Sequence, residues 1–335
     1  MKTFGNLKLY SNKPTIIAEA GVNHGCNLQL AKKYIHYAKK GGAEAIKFQT
    51  YKAESIAHKN SPAYWDTTKE KSINQQSLFR KYDKFEYKDY KKLYNYSKKN
   101  KIQFMTSLFD TNSVEIYSPL LSVFKISSSD INNIPLLRKI GKEKKHTIIS
   151  TGASKLNEIK NALKYLNLPP KKVCIMHCVL NYPTKEEDAE LNKISILKKN
   201  FPNNIIGYSD HTVPDENLIT LKIAFDLGAK IIEKHFTHNK KLSGNDHYHS
   251  MDTQNLLKFN NLINKIENIK KINKNSLKKQ RKSILYARRS IYTLKEIKKN
   301  ERLTEKNLIA LRPATGISVD KWDSVINKKA KKKIF

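Results

Sequence analysis

Late in the chain two histidines close two apolar, strand-length runs, His211 in IIGYSDHT and His235 in IIEKHFT, with a helix-length stretch between them. In a repeating strand–helix architecture that spacing brings both imidazoles to one rim. Neutral imidazoles there could share a divalent cation that keeps open positions for a substrate carbonyl. Satisfied rim or core histidines explain the spacing equally well, and SGNDHYHSMD supplies further His and Asp residues, so spacing alone does not fix a ligand set. Earlier strand-length runs also end in polar groups. They give Glu19 with Asn23 and His24, Lys47 with Gln49, Thr106 with Ser107, and Lys125 with Ser127, Ser128 and Asp130. Ser150 with Thr151, His177 with Asn181 and Tyr182, Ser209 with Asp210, and Glu233 with Lys234 complete the series. Two lysines and several hydroxyls converging on one rim suit a phosphorylated, carboxylated substrate. Lysine supplies fixed positive charge, and Ser or Thr donates hydrogen bonds to phosphate oxygens.

The elements that must position these groups are legible as an alternation. Runs rich in Ile, Val and Phe fall at 15–21, 45–50, 102–109, 123–128, 146–152, 172–179, 205–212 and 230–237. Helix-length, Lys-rich stretches follow at 27–40, 86–99, 111–118, 134–143, 154–166, 190–200, 215–227 and 253–272. Near-continuous apolar strands separated by helices imply a parallel sheet covered on both sides, and eight such units imply an α/β fold, a closed (β/α)8 TIM barrel. An open doubly wound sheet would instead need a glycine-rich phosphate loop after the first strand, and AGVNHG matches that pattern poorly. The connection 51–85 exceeds an ordinary βα loop and is expected to cover the rim. The texture changes after the eighth unit. The reading is a barrel domain over 1–272, a basic linker over 273–283, and a compact C-terminal domain over 284–335 that is too small for much independent stability.

Composition removes other classes. The apolar runs fall short of the roughly 20 residues a membrane helix needs. MKTFGNLKLYSNKP has no apolar signal region, so a soluble cytoplasmic protein without membrane insertion is expected. Three cysteines, Cys26, Cys174 and Cys178, give no disulfide framework, and Cys174 and Cys178 read as buried small hydrophobes on one strand face. The formal charge of +34 invites a nucleic-acid reading. The lysines are, however, spread along helix exteriors with abundant Asn and Ile, without an aromatic-interleaved basic motif. No specific nucleic-acid binding is expected, and the charge can serve to attract an anionic substrate.

With these residues collected, the chain resembles the N-acetylneuraminate (sialic acid) synthase family. The motifs are IIAEAGVNHG, AIKFQT, FMTSLFD, FKISSSD, IISTGAS, HCVLNYPT, GYSDHT, IEKHFT and GNDHYHSMD. RRSIY and LRPATGI resemble that family's antifreeze-protein-like (SAF, β-clip) C-terminal domain. The resemblance implies condensation of phosphoenolpyruvate with an N-acylated hexosamine such as N-acetylmannosamine, giving a nonulosonic acid and phosphate by C–O cleavage. It implies that Lys47, Ser107, Lys125, Ser128, Ser150 and Ser209 cradle phosphoenolpyruvate, with Asn181 close to phosphate. His211 and His235 would hold Mn2+ or Mg2+, and Gln49, Tyr182 and Asp246 would face sugar or metal. Glu19 and Asp130 would stabilise charge or activate water, Lys125 would neutralise the leaving group, and Arg312 would reach the partner's site in a domain-swapped homodimer. Leu180, Ser107, Ala314 and Asp130 depart from the family pattern, the first and last at positions that bear on the sugar. N-acetylmannosamine 6-phosphate and diacetamido-trideoxyhexoses fit such a rim too, giving neuraminate-, legionaminate- or pseudaminate-type products. A metal-dependent barrel aldolase or isomerase would use the histidines but not the two-lysine cradle. An ice- or nucleic-acid-binding protein would leave the polar strand ends without purpose.

Overall fold

The computed structural model describes residues 2–68, 70–244, 246–272 and 274–335. They form two compact units, one running to Glu267 and the other Asn268–Phe335. The first opens with a hairpin, β1 (Lys2–Phe4) and β2 (Leu7–Leu9). Eight strands follow: β3 (Thr15–Gly21), β4 (Ala45–Thr50), β5 (Gln103–Leu108), β6 (Val123–Ile126), β7 (His146–Ser150), β8 (Val173–Cys178), β9 (Ile205–Asp210) and β10 (Ile231–His235). Each pairs in parallel with the next, and β10 returns to β3, so the barrel closes as expected. No described helix is long and apolar enough to cross a membrane.

The outer helices form for local reasons. In Leu28–Lys40, Asn27 caps the start by accepting from the Leu30 amide, and Lys39 and Lys40 sit at the negative end of the helix dipole. Ala31, Tyr34, Ile35 and Ala38 recur at three- and four-residue intervals and are buried, so that stripe docks on the barrel. Gly41 ends the helix where a Cβ would stand 2.7 Å from Leu256 Cβ, so the last barrel helix packs directly on its backbone.

Side-chain alternation then builds the site. Along β3, Ile16, Ala18 and Ala20 join the core between strands and helices, whereas Ile17 joins a second cluster with Ala45, Met105, Val123, Ile148, Cys174, Met176 and Ile231. Two residues further along the same strands, on the same face, stand Glu19, Lys47, Ser107, Lys125, Ser150 and Glu233. The barrel interior is therefore apolar at its base and polar at the C-terminal ends of its strands, where barrel sites form. Phe4 and Leu7, from the hairpin, belong to the apolar interior cluster and are buried. Each contributes roughly 1.5–3 kcal/mol by leaving water.

The C-terminal unit contains an antiparallel pair, β11 (Ser290–Thr293) and β12 (Leu308–Leu311), over a small core of Ile297, Leu308 and Ala330. The segment expected as a linker is substantially helical, with helices at Ser276–Lys279 and Arg281–Ala287. SLKKQRKSILYA contains no Gly or Pro, and its Lys, Arg, Gln and Leu residues favour helix.

Candidate active site

Seven sequence-predicted groups or their neighbours meet in one buried ionic network at the strand ends. Lys47 Nζ lies 2.6 Å from Glu19 Oε2 and 3.7 Å from Glu233 Oε1, and it donates to Ser107 Oγ at 3.0 Å. Lys125 Nζ donates to Glu233 Oε1 at 2.7 Å, and Ser209 Oγ donates to the same oxygen at 3.2 Å. Gln49 Nε2 donates to Glu19 Oε1 at 3.1 Å. The two lysines are thus clamped by two carboxylates with almost no solvent contact. Burial raises the Glu19 carboxyl to about 7, against the pull of Lys47. Burial opposes ionisation of Glu233 as well, but Lys125 and Lys47 overcome it and hold that carboxyl well below its usual range. Glu233 was visible at a strand end, yet sequence alone did not show it as the residue bridging both lysines.

The serines are arranged for donation. Ser128 Oγ accepts from the Gly152 amide at 2.9 Å, which leaves its hydroxyl hydrogen for another partner. Gly152 permits this approach: a Cβ there would stand 2.9 Å from Ser128 Oγ and 3.3 Å from Cys178 Sγ. Ser150 Oγ is buried without a partner among the described residues. Asp130 is oriented by Ser127 Oγ at 2.6 Å and Asn133 Nδ2 at 3.1 Å.

The histidines cluster beside this network. The His211 and His235 ring centroids are 5.5 Å apart, and Tyr182 lies 4.0 Å from the His211 ring and 5.9 Å from the His235 ring. His211 Nδ1 stands 2.7 Å from the Val179 carbonyl, which fixes that nitrogen as an N–H. Burial disfavours a second proton on the ring, but Cys178 and that carbonyl outweigh it and raise the imidazole above its usual range. His235 Nδ1 is buried and has no hydrogen-bond partner, with Asp246 Oδ2 3.6 Å away. A third ring, His249, has its centroid 5.1 Å from that of His235. Burial pushes the His235 imidazole well down, and the His249 imidazole to about 3, so both are neutral. Neutral imidazoles with orphaned buried nitrogens next to a carboxylate fit a divalent cation. Cys174 lies in the barrel core, whereas Cys178 Sγ lies 3.7 Å from His211 Nδ1.

A cavity of about 1080 Å³ opens over these groups. Asp130, Asn181, Tyr182, His235, Asp246 and Gln49 are among its lining residues. Residues of the long 51–85 connection line it too, including Tyr51, Ile56, Tyr64, Trp65, Phe79 and Tyr82, so that connection does reach the rim. It is tied down: Pro62 bridges Asn74, Trp65 Nε1 donates to the Glu70 carbonyl at 3.0 Å, and Lys81 pairs with the Glu70 carboxylate at 2.6 Å. Among the described residues, the charged side chains on the cavity wall are Glu70, Asp130, Asp188, Asp246 and Lys185, and the Glu70 carboxylate is already paired with Lys81. Arg312 lies in the C-terminal unit and is exposed there.

The sequence matches the NeuB family over residues 34–278. The chain belongs to that family. Residues 288–335 match the SAF domain. Relatives include the N,N'-diacetyllegionaminic acid synthase of Campylobacter jejuni, 38% identical over 96% of each chain. The pseudaminic acid synthase of Helicobacter pylori is 31% identical over 95% of this chain and 94% of its own. Among solved structures, the N-acetylneuraminic acid synthetase of Leptospira borgpetersenii, in complex with citrate, superposes with a TM-score of 0.71 at 32% identity. That alignment covers 84% of this chain and 95% of the other. The expected barrel, the SAF domain and the family resemblance are all borne out by these matches.

Proposed function

We propose that this enzyme condenses phosphoenolpyruvate with an unphosphorylated N-acylated hexosamine to give a nonulosonic acid and inorganic phosphate. The observation that carries the reading is the buried Lys47–Glu19–Glu233–Lys125 network beneath the cavity. An aldolase or isomerase has no need of two buried lysines backed by hydroxyls, whereas a phosphate and a carboxylate on one small substrate do. Lys47 and Lys125 exchange their carboxylate partners for substrate oxygens, and Ser107, Ser128, Ser150 and Ser209 donate hydrogen bonds to the phosphate. Asn181, exposed at the cavity wall, faces the same substrate.

The electron pair of the C2=C3 bond forms the new bond from C3 to the acceptor's carbonyl carbon, whose oxygen takes a proton. Water adds at C2 and loses a proton to a carboxylate, with Asp130 and Glu19 in reach of this chemistry. The C2–O bond to phosphate then breaks and leaves a ketone at C2. A divalent cation, Mn2+ or Mg2+, held by His211 and His235 with Asp246 beside them, would supply Lewis-acid polarisation of the acceptor's carbonyl oxygen. Tyr182 packs on both rings and fixes their orientation, and Gln49 holds Glu19.

Two features support an acceptor without a phosphate. Among the described residues, Asp130, Asp188 and Asp246 line the cavity beside Lys185, with Glu70 paired to Lys81, a wall better suited to a neutral sugar than to a second phosphate. The aromatic lining residues Tyr51, Tyr64, Trp65 and Phe79 suit acyl methyls and deoxygenated carbons, as in a diacetamido-trideoxyhexose. We further propose that Arg312 acts in the cavity of a second copy of the chain. The test is phosphate release from phosphoenolpyruvate with N-acetylmannosamine, its 6-phosphate, and 2,4-diacetamido-trideoxyhexoses as acceptors. Turnover with the unphosphorylated sugars is expected. Preference for the 6-phosphate would refute the acceptor assignment.

A further inference from the structure

His249 has no place in the chemistry above. It lies in the turn after β10 and is fully buried, yet neither ring nitrogen has a hydrogen-bond partner among the described residues. A neutral imidazole carries one N–H and one lone pair, and leaving either unmatched in the interior forfeits the hydrogen bond that water would have supplied. An apolar side chain would fill the same space without that cost. The orphaned ring stands beside another: His235, with its own orphaned Nδ1, has its ring centroid 5.1 Å away. Asp246 reaches between them, with Oδ2 3.6 Å from His235 Nδ1 and Oδ1 4.0 Å from His249 Nε2. One donor atom from each of His235, Asp246 and His249 lies within 4.8 Å of the others. Ligands about 2.1 Å from one ion stand roughly 3–4 Å apart, so small rotations bring all three onto a common cation.

We propose that His249 is an additional imidazole ligand of the active-site cation, joining His235 and Asp246. The inference rests on the metal reading of the proposed function and extends it beyond the His211–His235 pair. The chemistry has a consequence for metal choice. Each added imidazole favours metals later in the divalent series over Mg2+ and Mn2+, so the site should hold Co2+ or Zn2+ more firmly than a two-histidine site would. Tyr248, edge-on to the His249 ring at 5.2 Å, holds that ring in place.

The test uses the full chain, stripped with a chelator and reloaded with a single metal. Three readouts are taken besides activity: the Co2+ dissociation constant by chelator competition, the number of coordinated imidazole nitrogens from electron–nuclear spectroscopy of Mn2+ on 15N-histidine protein, and the melting temperature with and without Co2+. His249→Ala should weaken Co2+ binding at least about tenfold, since even residues behind the ligands are worth 10–100-fold. It should also show one coordinated imidazole fewer than the wild type. The rise in melting temperature on adding Co2+ should shrink in the variant, which a merely structural role for His249 would not produce. If alanine does not fold, His249→Gln keeps most of the volume and is read in the same way. Equal affinity and equal nitrogen counts in variant and wild type would overturn the inference while leaving His211 and His235 as ligands. No specific cation binding by the wild type would overturn both this inference and the metal reading beneath it.

Discussion

Glu233→Gln tests the ionic network most sharply, because it removes one charge and keeps the shape. Glu233 Oε1 lies 2.7 Å from Lys125 Nζ, 3.7 Å from Lys47 Nζ and 3.2 Å from Ser209 Oγ, and its side chain is only 6% exposed. The glutamine leaves two buried ammonium groups facing one carboxylate, Glu19, which burial already pushes towards the neutral form. Removing one partner of a buried ion pair costs about 3–5 kcal/mol, because the remaining charge is uncompensated in a medium that solvates it poorly. At about 2 °C per kcal/mol for a unit of this size, the melting temperature should fall by roughly 6–10 °C. The missing negative charge is what a phosphate-bearing ligand supplies. Phosphoenolpyruvate at about 100 times its dissociation constant returns about 2.7 kcal/mol, so it should recover much of the loss. In the wild type the same ligand must first displace Glu233 from both lysines, so its thermal shift should be smaller. Differential scanning fluorimetry across a phosphoenolpyruvate titration reads both quantities. A variant that melts within 2 °C of wild type, or gains no more from the ligand, would refute the argument that Glu233 stands in for substrate anions.

Three further outcomes follow from the same geometry. Glu19 is raised to about 7, so it is protonated below that pH and adds a negative charge beside the lysines above it. The KM for phosphoenolpyruvate should therefore rise above pH 7, by up to about tenfold per unit, and a flat profile between pH 6 and 8.5 would count against it. Gly152→Ala puts a methyl 2.9 Å from Ser128 Oγ, and should cost about 1–3 kcal/mol and raise that KM more than it lowers kcat. Mixing Arg312→Ala with Lys47→Ala subunits should restore about a quarter of wild-type activity by random pairing if Arg312 acts in the second copy's cavity, and none if it acts in its own.

The barrel was legible because each strand is a short apolar run and each helix a longer polar one. All eight expected runs contain a strand. The opening hairpin was missed since β1 and β2 are three residues each, too short for periodicity to register. The signal was there in Gly5–Asn6, a two-residue turn between Phe4 and Leu7, which pair across it. Gly5 has φ +56°, and a Cβ there would stand 2.6 Å from Val123 Cγ2, so the turn needs glycine twice over. The site was legible as a set of strand ends but not as a set of partners. Glu233 and Lys125 are 108 residues apart, and barrel stagger, which spacing does not encode, decides which ends meet. His249 was within view in SGNDHYHSMD, yet only burial without a partner sets it apart from its neighbours.

The central claim is condensation of phosphoenolpyruvate with loss of phosphate by C–O cleavage. It is tested most directly with phosphoenolpyruvate labelled with 18O in the bridging oxygen, an unphosphorylated N-acylated hexosamine, and phosphorus NMR of the phosphate released. The account predicts release that requires the sugar, with the label retained in the phosphate and absent from the new ketone. Label in the ketone, or no sugar-dependent release, would contradict it.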